Sequence, residues 1–248
     1  MTVMIGSVLR VRCGYRLPAV CCAALTVVAL AGGCVRSVAG SARPGDVTSR
    51  PAQPISAADL LIEPTRFPTR YPAAIVPSKD VDRVLGEIDG VATGSEVTPA
   101  QCAPLPVLAE QKAAVEGIDD ESGSRLVVTV IRPVPSVRAR VAQLKDCSSF
   151  TSTAAGEAGE PDEVWKVTVD LPPPPPVDAD DSYAVEQTVT SQSGNVETTT
   201  LTLVALIDDV QVAASWQQGG PSDASPDTES LDTLFTAAVL KVRQQVPR

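Results

Sequence analysis

The chain of 248 residues contains no histidine and few aromatic residues, with three Phe, three Tyr and two Trp. Histidine is the usual general base near neutral pH and the commonest metal ligand. Its absence excludes a Ser-His-Asp triad, a Cys-His dyad, a histidine zinc motif and a haem held by histidine. The P-loop, G-x-G-x-x-G, EF-hand, G-x-S-x-G and S-x-x-K patterns are absent as well. We therefore predict a non-enzymatic protein without catalytic residues, cofactor or metal site.

Basic residues are also scarce, since 20 Lys and Arg stand against 30 Asp and Glu, for a formal net charge of −10. Binding to nucleic acid requires a basic face that contacts phosphates. We therefore exclude a nucleic-acid partner. The six cysteines are too few for a disulfide-dense scaffold of this length.

Residues 1–33 have the layout of a secretory signal. Arg10, Arg12 and Arg16 are the only charged residues before Cys34, and the uncharged run 17–31 follows them. This run is shorter than the roughly 20 residues that a membrane-spanning helix needs, so a transmembrane anchor is the weaker alternative. Removal of the signal takes away three arginines and no acid, which changes the net charge from −10 to −13.

The sequence Ala31-Gly32-Gly33-Cys34 resembles the lipobox of bacterial lipoproteins, with Ala31 in place of the favoured leucine. In that family the signal is cut before the cysteine, and the thiol receives a diacylglyceryl group. The resemblance implies lipidation of Cys34, with acyl chains such as palmitate, on the outer face of the plasma membrane. Two acyl chains anchor a protein durably, whereas one is marginal. Ordinary secretion is the alternative.

Two regions follow the signal. Residues 34–56 are rich in Ser, Ala, Gly and Pro, which predicts a flexible tether. Residues 57–248 form the predicted single globular domain. Its two cysteines, Cys102 and Cys147, predict a disulfide in an exported protein, with two free or redox-active thiols as the alternative.

The patterns within the domain predict an α+β fold with an antiparallel sheet of about five strands, mostly a meander, flanked by helices. Apolar residues alternate over 201–207 and 210–216, with Asp208-Asp209 between them, as in a hairpin. A three-residue loop at 193–195 would pair Val185 of the preceding strand with Leu203. The other predicted strands are 125–132 and 164–171. Helices are predicted over 78–89, 107–115 and 136–145, and from 227 to near Pro247.

Three acidic clusters and a proline run carry possible chemistry. The clusters are Asp119-Asp120-Glu121, Asp180-Asp181 and Asp208-Asp209. Two carboxylates across a cleft could serve a hydrolase, but each cluster lies at a predicted turn where solvated acids are expected. The five prolines 172–176 could be a docking peptide, and we favour a stiff loop between strands. A cavity between sheet and helices, lined by Val, Leu and Ala, could hold an apolar ligand.

Two short motifs carry a family resemblance. They are Leu60-Leu61-Ile62-Glu63-Pro64-Thr65-Arg66-Phe67-Pro68 and Pro99-Ala100-Gln101-Cys102. They resemble a family of exported mycobacterial lipoproteins of uncharacterised function, which is distantly similar to the extracellular sensor domain of a mycobacterial serine/threonine kinase. The resemblance implies a twisted antiparallel sheet with helices around a cleft. The kinase sensor has two disulfides, whereas one cysteine pair is present here.

These observations favour a cell-envelope lipoprotein whose non-catalytic domain binds a lipid or a small envelope molecule, or presents a sensor-like surface. One alternative is an accessory of envelope assembly that acts through protein partners. The other is a hydrolase without histidine that uses paired carboxylates.

Overall fold

A computed structural model describes residues 55–108, 111–134, 136–156, 162–192, 196–220 and 225–246. Nine strands form one antiparallel sheet in the order β1-β3-β4-β9-β8-β7-β6-β5-β2. The strands are β1 (Ala73–Ile75), β2 (Glu96–Thr98), β3 (Lys112–Ile118), β4 (Arg125–Ile131), β5 (Ser149–Ala154), β6 (Glu163–Asp170), β7 (Asp181–Ser191), β8 (Glu197–Ile207) and β9 (Val210–Gly219). The helices are α1 (Ala57–Leu60), α2 (Val81–Ile88), α3 (Val137–Asp146) and α4 (Thr228–Gln245).

The predicted α+β class and antiparallel sheet are confirmed, but the expected number of about five strands is wrong. The short edge strands β1 and β2 have three residues each. Strand β5 is rich in Ser and Thr and lacks apolar alternation. Strand β3 replaces the helix predicted over 107–115, because its seven residues pair with β4 and both of its faces are covered. Burial on both faces removes the period-two signal that a half-exposed strand would show.

The hairpin of β8 and β9 is confirmed, and the register of β7 is not. Asp208 takes a positive φ of 55° in the turn, and Ile207 pairs with Val210. Ala184, rather than Val185, lies opposite Leu203, and Val185 pairs with Thr202. A shift of one residue moves every side chain to the other face of a sheet. Helices cover both faces of this sheet, so Val185 is buried on the face opposite to that of Ala184 and Leu203. Because either face can bury an apolar side chain, the apolar pattern alone did not determine the register.

The first face of the sheet packs against α1, α4 and the segment 60–71. Its core contains Leu60, Tyr71, Trp216 and Phe235. Helix α4 begins after Asp227, whose carboxylate accepts the Ser230 backbone N–H, as the sequence predicted for a start near this residue. The residues at helical spacing all lie in this core: Leu231, Leu234, Phe235, Ala238 and Val242.

The second face packs against α2 and α3. Ser136 caps α3 by accepting the Ala139 N–H, at the start predicted for this helix. The helix predicted from residue 78 begins later, because residues 78–80 form a 3-10 turn and the α-helix begins at Val81. The side-chain amides of two sheet residues satisfy carbonyls at the end of α2: Gln217 donates to Glu87 at 3.0 Å and Gln187 to Asp89 at 3.3 Å.

The Cys102–Cys147 disulfide is present, with 5.6 Å between the two Cα atoms. It joins the 3-10 turn Ala100–Cys102 to the C-cap of α3. The proline run 172–176 lies in the connection between β6 and β7, as the loop interpretation expected. Arg243 of α4 holds this connection by donating to the Asp178 carbonyl at 2.8 Å and to the Asp180 carboxylate at 2.9 Å.

Candidate ligand-binding cavity

A cavity of about 450 Å³ lies between the second face of the sheet and the layer formed by α2 and α3. Strands β4, β7, β8 and β9 form its floor, and α2, α3 and the extended segment 103–107 form its walls. The exposed turn 92–94 and Leu105 lie at its rim. This volume is within the range of sites that bind small molecules.

The strand registers place small and polar residues at the centre of the floor. Thr129, Ala213, Val204 and Tyr183 stand in one row across β4, β9, β8 and β7. Ala213 has the smallest side chain of this row and is one of its two inner members, so the sheet leaves the most space above this residue. All four residues are buried from bulk solvent.

The neighbouring row carries two hydroxyls. Thr202 and Ser215 are paired across β8 and β9, and their side-chain oxygens are 2.9 Å apart. One hydroxyl donates to the other in such a pair, so one O–H of the two remains available to a further acceptor. No side-chain hydrogen bond joins Thr129 or Gln211 to another described residue. The floor therefore presents uncharged donors and acceptors to the cavity.

The walls are mostly apolar. Aliphatic side chains from α2, β2, the segment 103–107, α3, β7 and β8 surround the floor; they include Leu85, Ile88, Val97, Leu105, Leu144 and Val185. A site of this kind combines a large apolar area with a few polar groups that orient the ligand.

Each charged residue that lines the cavity has a partner of opposite charge. The Arg140 guanidinium lies 2.9 Å from the Asp89 carboxylate, and Lys112 pairs with Asp82. Burial raises the pKa of Asp89 even though Arg140 favours the ionised form. Burial likewise raises the pKa of Tyr183 to about 12, so its hydroxyl is uncharged near neutral pH.

The segment 103–107 and helix α3, which form two walls of the cavity, are linked to each other. The disulfide fixes Cys102, directly before the segment 103–107, to the end of α3. On α3, the Gln143 side-chain amide donates to the carbonyls of Gln101 at 2.7 Å and Ala103 at 2.9 Å. The position of the segment is therefore set by a covalent bond and two hydrogen bonds.

The structure places the predicted acidic clusters elsewhere. Asp119 accepts from Ser122 at 2.6 Å and from Arg70 at 2.7 Å, and these bonds lower its pKa to about 2. Asp180 accepts the Asp208 backbone N–H at 2.7 Å beside the β8–β9 turn. None of the three clusters lines the cavity as the described residues form it. In the described ranges, no group of three Cys, Asp or Glu side chains is arranged to hold a metal ion.

The two family motifs lie within the described fold, whereas the predicted signal, lipidation site and most of the tether lie outside the described residues. Leu60, Leu61 and Phe67 of the first motif are buried in the first-face core, and Cys102 of the second forms the disulfide. Cys34, the predicted lipidation site, lies outside the described residues, as do the signal 1–33 and most of the tether. Of the helices that the structure does describe, none has the length and apolarity needed to cross a bilayer.

Sequence reasoning missed the residues of the floor. Thr202 and Ser215 alternate with apolar residues in the hairpin, and this pattern assigns them to a solvated face. Their burial, at 4% and 1% exposure, is the signal that separates them from surface residues, and only the tertiary structure supplies it.

No protein-family model matches the chain, and no curated protein sequence matches it. Among solved structures, the chain is similar to the X-ray structure of an uncharacterized protein (Rv0999 ortholog) from Mycobacterium smegmatis. The TM-score is 0.42 and the sequence identity 17%, over 72% of this chain and 92% of that chain.

Proposed function

We propose that the protein is a lipid-anchored, non-catalytic binding module of the cell envelope that holds a small amphipathic molecule in the cavity. The observation that carries the proposal is the cavity of about 450 Å³, which combines apolar walls with a buried, uncharged polar floor.

The polar groups of the floor support the proposal, because part of their hydrogen-bonding capacity is not used within the protein. The Thr129 hydroxyl is not among the described side-chain atoms that are fully buried without a partner, and it lines the cavity. Thr129 is 4% exposed. A molecule that occupies the cavity and bonds to these groups gives them a role, and water fills the same positions when that molecule is absent.

The location of the protein is inferred from the sequence alone. The signal 1–33 and the lipobox at Cys34 support anchoring on the outer face of the plasma membrane. Membership of the mycobacterial lipoprotein family, and the distant similarity to a kinase sensor domain, are hypotheses from the two motifs. A sensor-like role would require a partner that reads the occupied state.

Titration of the purified protein with the uncharged fluorophore N-phenyl-1-naphthylamine tests the cavity. We expect enhanced, saturable fluorescence with the wild-type protein. The change Ala213→Phe fills the floor and should weaken the affinity for the fluorophore by at least about tenfold. The same change at the exposed Ala142 of α3 is the matched control and should leave the affinity unchanged.

Circular dichroism and thermal unfolding establish that each variant is folded, and Ala213→Leu serves if the phenylalanine variant is not. Absence of saturable binding to the wild-type protein contradicts the proposal. Equal affinity in the wild-type, Ala213 and Ala142 proteins contradicts it as well, because the fluorophore would then bind elsewhere.

A further inference from the structure

The charges around the cavity indicate what it does not bind. Asp82, Asp89 and Arg140 are the charged residues among its described lining, and each is already in an ion pair. A carboxylate or phosphate group on a ligand would lose its hydration without gaining an unpaired cation. An ammonium group would likewise meet no unpaired acid. Burial of a charge without a partner is strongly unfavourable.

The floor indicates what the cavity does bind. Thr129, the Thr202–Ser215 pair and Gln211 offer hydroxyl and amide groups that can both donate and accept. Ser215 and Gln211 lie on the same side of β9, four residues apart. At a rise of about 3.3 Å per residue they are separated by about 13 Å along the strand. We call the row of polar side chains from Gln211 to Ser215 the polar track. A single hydroxyl on a ligand cannot bond to both ends of the polar track, whereas a ligand with several oxygen atoms can.

The polar track and the apolar walls are on different sides of the same space. The track lies on the sheet, whereas Leu85 and Ile88 of α2, Leu144 of α3 and Leu105 of the segment 103–107 face it. A ligand that fits both has an alkyl part against the helices and oxygen atoms against the sheet.

Resting on the proposed function, we infer that the ligand is an uncharged amphiphile with several hydroxyl or ester oxygens, which bond to Thr129, Gln211 and the Thr202–Ser215 pair. Acylglycerols and alkyl polyols have this chemistry. Fatty acids, alkyl phosphates and alkylamines are disfavoured, because their charge would meet no unpaired partner among the described lining residues.

Displacement of N-phenyl-1-naphthylamine distinguishes these classes at equal alkyl length. The competitors are 1-decanoylglycerol, 1-decanol, decanoate and decylammonium, each below its micelle concentration. The assay is run at about pH 8, where the carboxylate is fully ionised and the amine protonated. We expect 1-decanoylglycerol to displace the fluorophore at a concentration about tenfold or more below that of either ion. 1-Decanol, with one hydroxyl, should displace the fluorophore at a concentration between that of 1-decanoylglycerol and those of the ions.

Variants test the role of the floor directly. Thr129→Val removes one hydroxyl at nearly constant volume and should weaken the affinity for 1-decanoylglycerol by about fivefold. Thr129→Ser keeps the hydroxyl and should retain the wild-type affinity for this ligand. The fluorophore carries one N–H and no oxygen atom, so its own affinity is measured in each variant and used to convert displacement into the affinity for 1-decanoylglycerol. Thr200→Val is the matched control, because Thr200 is buried on the same sheet face, has an unbonded hydroxyl and does not line the cavity.

The outcomes separate the two proposals. If either ion displaces the fluorophore as well as 1-decanoylglycerol does, or if none of the competitors displaces it, the inferred ligand class is wrong and the cavity is still a binding site. An equal effect of Thr129→Val and Thr200→Val also overturns the inferred contacts. If the fluorophore does not bind in the cavity at all, the proposed function fails with the inference.

Discussion

Adjacent alanines on β9 provide a direct test of whether the second face of the sheet holds a cavity. Ala213 points into the cavity, and Ala214 points into the core on the first face, where it is 1% exposed. The change Ala213→Leu adds three carbon atoms on the side of β9 that lines the cavity. At about 0.8 kcal/mol for each buried carbon, the transfer gain is about 2.4 kcal/mol. The loss of rotamer freedom when leucine is buried offsets about 0.5–1 kcal/mol of this gain. We expect the free energy of unfolding to rise by about 1–2 kcal/mol.

The change Ala214→Leu has the opposite expected sign. Ala214 is paired with Leu203 and Val128 and packed in the filled core beneath α4. Extra methylenes in a filled core cost about 1–3 kcal/mol, because neighbouring side chains leave their rotamers or the backbone shifts. Two substitutions of identical chemistry, one residue apart, should therefore differ in stability by at least about 2 kcal/mol.

Equilibrium unfolding in urea measures both changes. The transition midpoint should move up for Ala213→Leu and down for Ala214→Leu, with the dependence on denaturant unchanged in each. Equal destabilisation by the two substitutions would refute the reasoning, since the second face would then be as fully packed as the first.

Three further predictions concern groups around the site. Replacing both Cys102 and Cys147 by serine should lower the free energy of unfolding by about 4 kcal/mol, from the chain entropy of a loop with a sequence separation of 45; a loss below about 1 kcal/mol in urea unfolding would contradict this. The lowered pKa of Asp119 means that its ionised form stabilises the fold above about pH 4, and this contribution is lost as the pH falls towards about 2. Asp119→Asn should therefore flatten the acid limb of the stability–pH curve, and an unchanged limb would count against the Arg70 and Ser122 contacts. Ultraviolet titration should show one tyrosine that ionises near pH 12 and is missing in Tyr183→Phe; loss of a transition near pH 10 instead would place this hydroxyl in solvent.

The elements that were predicted correctly are those whose signal is local. Helix α4 has one apolar stripe and an Asp227 cap, and α3 has its cap at Ser136. The β8–β9 hairpin has alternation in both strands and a turn between them. For the disulfide, the predicted domain 57–248 contains two cysteines, and one pairing was available.

The elements that were missed depend on partners distant in the chain. Strand β3 exists because β4 pairs along its whole length, and β2 exists because residues 96–98 meet β5 more than 50 positions later. A three-residue edge strand has no periodicity of its own. The register of β7 was also decided by packing, since the layer on the second face buries Val185 as well as the first face buries Ala184.

The sequence by itself determined the acidic composition, the absence of histidine chemistry, the hairpin, two helices and the disulfide, and it predicts the signal with its lipobox cysteine. These follow from composition and from interactions over a few residues. The tertiary structure alone decided that the sheet has nine strands and helices on both faces. It also decided that Thr129, Thr202 and Ser215 lie on the floor of a cavity, because the surroundings of a hydroxyl depend on which distant segment covers it.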